Sequence, residues 1–102
     1  MKSIRENEFE NEVKQGVTLV DFYATWCGPC RVMGGILEDI EDELSGQANI
    51  VKVDVDQCQN LARSFGVMSI PTLMIFKDGM LKEKHVGIWD QDECVSTIKS
   101  YL

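Results

Sequence analysis

Seven consecutive residues, Val17-Thr18-Leu19-Val20-Asp21-Phe22-Tyr23, most restrict what this chain can become. The run is too continuously apolar for a strand with one wet face. It reads instead as a strand buried on both faces, as in a parallel sheet covered by helices. Directly after it come Trp26-Cys27-Gly28-Pro29-Cys30, and then a helical pattern that starts near Arg31 and runs to Gly46. Two thiols therefore sit at a strand-to-helix corner. A helix that opens near Cys27 leaves the amides of its first turn unpaired and points the positive end of its dipole at the first sulfur. That arrangement favours thiolate over thiol and lowers the pKa of Cys27, which marks it as the attacking residue in disulfide exchange. Cys30 lies one turn along on the same side and is expected further inside, which suits the resolving role. Pro29 fits a first helical turn because its missing N–H has no intrahelical partner there. Gly28 lets another chain's backbone come close.

A Cys-x-x-Cys pair can also be half of a zinc site, but tetrahedral zinc needs four ligands. Only Cys58, Cys94 and the single His85 remain to supply them, all isolated in sequence. No metal is expected, and the pair reads as a redox dithiol beside a βαβ pattern. Seventeen Asp and Glu against ten Lys and Arg give a net charge of -7, which opposes binding to nucleic acid phosphates or to anionic membranes. No apolar run approaches the roughly 20 residues of a membrane helix, and Met1 to Glu6 lack the apolar segment of a signal peptide. The expectation is one domain over residues 1–102 in the cytoplasm, where cysteines are more often catalytic or free than structurally bridged.

The rest of the chain supports the same architecture. Glu6 to Gln15 reads as a short amphipathic helix with Phe9 and Val13 inward and Gly16 as its stop. From Arg31 to Gly46, Met33, Ile36, Leu37, Ile40 and Leu44 share one face, while Glu38, Asp39, Glu41, Asp42 and Glu43 fill the solvated one. Asn49 to Val55 alternates as a second parallel strand, with Val51, Val53 and Val55 on one side and Lys52 and Asp54 on the other. Asp56 to Gln59 resembles a variant capping box that opens a helix ending near Gly66. Cys58, Leu61, Ala62 and Phe65 then share its apolar face. Asp90 to Glu93 starts the last helix, with Cys94, Val95, Ile98 and Leu102 in a stripe. Cys58 and Cys94 read as inert packing residues, and His85 as a surface residue of a strand. Pro71 opens a strand from Thr72 to Phe76, where its lack of an N–H removes one ladder donor. Asp78-Gly79 is a hairpin signal that joins this strand to Met80 to Val86. Alternating strands and helices followed by a hairpin specify an α/β fold: a central mixed sheet with helices on both faces. Within it Asp21 stands out, because a carboxylate in a buried strand is costly unless paired, and desolvation raises its pKa.

Trp-Cys-Gly-Pro-Cys after Val-Asp-Phe-Tyr-Ala resembles the thioredoxin family, and the likeness runs across nearly the whole chain. It implies the thioredoxin fold, with a short extra strand at Lys2 to Ile4. It also implies a protein disulfide reductase that cycles Cys27 and Cys30 between dithiol and disulfide. No bound cofactor is implied, because electrons arrive from a partner thioredoxin reductase and pass to disulfide-containing substrate proteins; a monomer is expected. By the same resemblance Asp21 assists deprotonation of Cys30, and Lys52 matches a lysine near that carboxylate, where a Lys52–Asp21 pairing would hold its pKa down. Pro71 matches a cis proline that faces the dithiol, and the residue before it, Ile70, pairs with the substrate backbone. Trp26, Gly28, Pro29, Ile70, Pro71 and Gly87 then form an apolar collar for substrates and reductase. The chain departs from the family at Gly35, where a helix-kinking proline is usual; the Gly34-Gly35 pair is expected to supply the bend by flexibility. An oxidase or isomerase on the same fold is the first alternative, although Gly-Pro between the thiols resembles the reducing members. The second is a structural or binding subunit that does not need its thiols.

Overall fold

The computed structural model describes residues 1–102. Its five strands are β1 (Lys2–Ser3), β2 (Val17–Tyr23), β3 (Asn49–Asp54), β4 (Thr72–Lys77) and β5 (Met80–Val86). Its helices are α1 (Phe9–Val13), α2 (Gly28–Glu43), α3 (Gln59–Ser64) and α4 (Gln91–Lys99). The sheet runs in the order β1-β3-β2-β4-β5. Strands β1, β3 and β2 pair in parallel, while β4 is antiparallel to β2 and β5 to β4. This is the mixed sheet expected from the sequence.

The apolar run of β2 lies at the sheet centre, paired on both sides, and all of its residues except Tyr23 are buried. Side chains alternate along it, as a strand requires. Leu19 packs with Met33, Leu37 and Ile40 of α2 and with Ile98 of α4, whereas Val20 and Phe22 pack with Phe9, Val13 and Ala62 toward α1 and α3. By that period Asp21 falls on the α2 side, which carries the thiols. Hairpin β4–β5 turns at Asp78 and Gly79, with φ values of 49° and 84°, the left-handed pair that a two-residue hairpin turn needs. Asp90 caps α4 by accepting the Glu93 N–H at 3.1 Å.

Several boundaries differ from the expectation. The first helix begins as a 3-10 turn at Glu6–Glu8, tightened because the Glu8 carboxylate bonds back to the Arg5 N–H at 2.9 Å, and α1 proper is only Phe9–Val13. Helix α3 starts at Gln59 with Cys58 as its cap residue, not at Asp56. The Asp56 carboxylate is engaged elsewhere, by Trp26. Leu102 leaves the stripe of α4 and is exposed, because the helix ends at Lys99. Helix α2 runs without interruption through Gly34-Gly35, where the sequence leads one to expect a bend. Unlike proline, both glycines keep an N–H, so no rung of the helical ladder is lost. A Cβ at either position would meet no atom within 4 Å; the pair faces an open groove.

Candidate active site

Where β2 ends and α2 begins, the chain turns through Ala24-Thr25-Trp26 and presents Cys27 as the N-cap of α2. An N-cap ordinarily offers an oxygen to the free amides of the first turn; here the acceptor is sulfur, and the Cys30 N–H donates to Cys27 Sγ at 3.2 Å. Cys27 and Cys30 are joined as a disulfide with Cα atoms 5.3 Å apart. The expected difference in depth is not seen, since Cys27 is 5% and Cys30 6% exposed. What separates them is their surroundings. Cys27 Sγ lies 3.9 Å from the Ile70 carbonyl oxygen, while Cys30 lines a groove of about 470 Å³ with Tyr23, Gly34, Gly35, Glu38 and Lys52. A negative charge on the first sulfur would meet an oriented amide and the positive end of a sixteen-residue helix.

Asp21 is completely buried, and neither carboxylate oxygen has a hydrogen-bond partner. Burial pushes its pKa up to about 6, with the positive charge of Lys52 pulling the other way. The expected Lys52–Asp21 ion pair is not formed. The two residues are register partners across β2 and β3, but the Lys52 ammonium sits over the Tyr23 ring, 4.1 Å from its centroid. A cation on an aromatic face keeps contact with solvent, whereas a pair with Asp21 would bury both charges. Lys52 therefore acts on Asp21 through its field and not through a bond. A carboxyl with its pKa raised to about 6, on the sheet face that α2 covers, can take and return a proton at the pH where thiols exchange.

The Ile70-Pro71 peptide bond is cis, and the Ile70 carbonyl lies beside Cys27. Pro71 is held from the other side: its carbonyl accepts the Gly87 N–H at 2.8 Å, and Gly87 takes φ +92°, a conformation that favours glycine. Trp26 is 67% exposed, yet its Nε1 donates to the Asp56 carboxylate at 2.8 Å. Gly28 and Pro29 are exposed in the first turn of α2. Fold geometry thus gathers the dithiol, Asp21, Lys52 and the Ile70-Pro71 and Gly87 loops at one end of the sheet. Sequence reasoning missed Asp56, whose capping-like spacing concealed its bond to Trp26. It also missed Met68, Val86 and Ile88, exposed apolar residues that flank Ile70 and Gly87 in sequence.

The two remaining cysteines lie apart from this site and from each other, Cys58 in the core toward α1 and α3 and Cys94 in the core toward α2 and α4. Burial raises both thiol pKa values, that of Cys94 to about 12, so both are poor nucleophiles. No three His, Cys, Asp or Glu side chains converge in a way that could hold a metal ion. No helix is long and apolar enough to cross a membrane.

Comparison with known proteins agrees with this geometry. The family model for thioredoxin matches residues 1–100. A thioredoxin from Listeria monocytogenes is 45% identical over 102 residues, covering 100% of this chain and 99% of the relative. One from Staphylococcus saprophyticus is 42% identical over 99 residues, 97% of this chain and 95% of the relative. Among solved structures, a mutant thioredoxin from Halobacterium salinarum superimposes with a TM-score of 0.90 at 36% identity, over 99% of this chain and 88% of the other.

Proposed function

The chain belongs to the thioredoxin family and is a thiol-disulfide oxidoreductase, and from that premise we propose that it reduces substrate proteins through Cys27 and Cys30, acting as one domain over residues 1–102. In the reduced form, the Cys27 thiolate attacks one sulfur of a substrate disulfide. That S–S bond breaks, a mixed disulfide forms, and the departing substrate sulfur takes up a proton. Cys30 then gives its proton to Asp21 and attacks Cys27 Sγ; the Cys27–substrate S–S bond breaks, the second substrate sulfur leaves and takes up the proton that Asp21 held, and the Cys27–Cys30 disulfide remains. Two electrons have passed to the substrate. A partner reductase returns two electrons, and one proton goes back to Cys30 while Cys27 stays a thiolate, to restart the cycle. The dithiol itself carries the electrons, so the cycle calls for no further prosthetic group.

Substrate docking is assigned to Trp26, Gly28, Pro29, Ile70, Pro71 and Gly87. A substrate strand laid along the cis peptide bond can pair with the Ile70 backbone while its sulfur approaches Cys27. Asp21 serves as the proton acceptor and Lys52 tunes it from beside the Tyr23 ring. The protein is assigned to the cytoplasm as a monomer; two unbridged, deeply buried cysteines support the reducing compartment.

The observation that carries this reading is the Cys27 sulfur capping α2, 3.9 Å from the Ile70 carbonyl. Its test is Cys30→Ser, which should accumulate a mixed disulfide with insulin chains through Cys27, visible by non-reducing electrophoresis and mass spectrometry. Trapping by Cys27→Ser instead would reverse the order of the thiols. Insulin reduction driven by dithiothreitol and then by candidate reductases, with the potential set against glutathione, separates a reductase from an oxidase or isomerase.

A further inference from the structure

The loop that carries Gly87 is fastened by two side chains that the cycle above does not use. His85, close to the end of β5, is half-buried. Its ring lies flat on that of Trp89, with centroids 4.6 Å apart and planes within 5°. Its Nε2 lies 3.1 Å from the Ile88 carbonyl oxygen, which accepts from the tautomer protonated at that nitrogen. Trp89 is itself buried, and its backbone N–H donates to Met33 Sδ at 3.2 Å. Met33 is on α2, three residues beyond Cys30. Between these anchors the Gly87 N–H reaches the Pro71 carbonyl, one residue from the Ile70 carbonyl that borders Cys27. Val86 and Ile88, on either side of Gly87, are exposed.

The arrangement has a physical logic. A loop centred on a left-handed glycine is intrinsically free, and exposed apolar side chains on a free loop lose conformational entropy when a partner docks. A flat stack on a buried indole, together with a bond to the loop's own carbonyl, removes that freedom in advance. An isolated histidine on a strand surface would need neither contact.

We propose that His85 is a positioning residue for substrate docking: stacked on Trp89 and bonded to the Ile88 carbonyl, it holds the Gly87–Ile88 lip in the geometry that receives a protein substrate beside Cys27. The proposal rests on the reading of Ile70, Pro71 and Gly87 as the docking collar. It separates two kinds of substrate. A protein disulfide needs the lip, whereas a small disulfide such as hydroxyethyl disulfide needs only the thiols.

The test compares His85→Ala, His85→Phe and Ile70→Lys with the parent protein, using insulin and hydroxyethyl disulfide as substrates, with the fold of each variant checked by circular dichroism. H85A is expected to raise KM for insulin about fivefold, the worth of one ordinary net hydrogen bond, with kcat and the small-disulfide rate within about twofold of the parent. H85F keeps a stacked ring without the bond and is expected to fall between the parent and H85A; it carries the test if H85A loses its fold. An unchanged insulin KM in H85A, or in H85F where that variant carries the test, overturns the proposal. So does a parallel slowing of both substrates, which would place the effect on thiol chemistry. Ile70→Lys separates the two levels of the argument. If it raises insulin KM while the His85 variants do not, the collar stands and the clamp falls. If it leaves insulin KM unchanged, the collar reading fails, and any effect at His85 then arises apart from docking and overturns the clamp too.

Discussion

Replacing Asp21 by Asn should make the protein more stable at pH 8 and leave it nearly unchanged at pH 4. Asp21 is fully buried with both oxygens unpartnered, and burial raises its pKa from 3.8 to about 6. A carboxyl whose folded pKa lies above its unfolded value binds its proton more tightly in the native state. Well below pH 3.8 both states are protonated and the group is indifferent to pH. As pH rises from 3.8 to about 6 the unfolded chain ionises while the native group keeps its proton, so stability falls across that window and levels off once the native carboxyl has ionised. A rise from 3.8 to about 6, at about 1.4 kcal/mol per unit, comes to about 3 kcal/mol once the native group has ionised. Asparagine has nearly the same shape and cannot ionise, and its amide is left as unpartnered as the protonated carboxyl. The expected difference between Asp21→Asn and the parent is therefore within about 1 kcal/mol at pH 4 and about 3 kcal/mol in favour of the variant at pH 8. Urea unfolding of the two disulfide forms at a series of pH values measures it, and every other titrating group cancels in the difference. A difference that stays flat from pH 4 to 8 would refute the claim that this carboxylate is held at a cost. So would a parent more stable than the variant at pH 8.

Three further outcomes follow from the same geometry. Lys52 lowers the Asp21 pKa by its charge alone, so Lys52→Met should move the Asp21 titration further up, read by carboxyl-carbon NMR; a downward move would show that the lysine does not stabilise the anion. Asp56→Asn exchanges a charged for a neutral acceptor of the Trp26 indole, and because the bond is exposed the effect should be modest, about a two- to threefold rise in insulin KM with a more mobile indole by fluorescence anisotropy. Unchanged anisotropy would mean that the carboxylate does not restrain the ring. Cys58 and Cys94 are buried with raised pKa values, so iodoacetamide at pH 8 should label the reduced native protein only at Cys27 and Cys30, and all four cysteines only in denaturant. Mass spectrometry that finds Cys58 or Cys94 labelled under native conditions would remove them from the core.

Much of the fold was legible before any coordinates because its signals are local. The apolar run of β2, the helical stripe from Met33 to Leu44 and the Asp78-Gly79 turn each express a backbone preference within a few residues. The dithiol belongs with them: a Cys-x-x-Cys at a strand-to-helix corner meets the helix amides however the rest of the chain packs. Helix starts were less legible, because Asp56 could satisfy a cap by its spacing but was taken by an indole thirty residues away in sequence. Lys52 shows the same limit. Its pairing opposite Asp21 in the β2–β3 register did not decide where its ammonium would go, since Tyr23 offered a face with access to solvent.

The sequence by itself determined the layered α/β architecture, the corner that carries Cys27 and Cys30, and a buried carboxyl at Asp21, because periodicity and turn chemistry act over short stretches of chain. Only the tertiary structure decided that the two sulfurs are equally covered, that Asp21 has no partner, and that His85 lies against Trp89 beside the Gly87 loop. Those are contacts between side chains brought together by strand register and helix packing, and their energies exist only once distant segments share a surface.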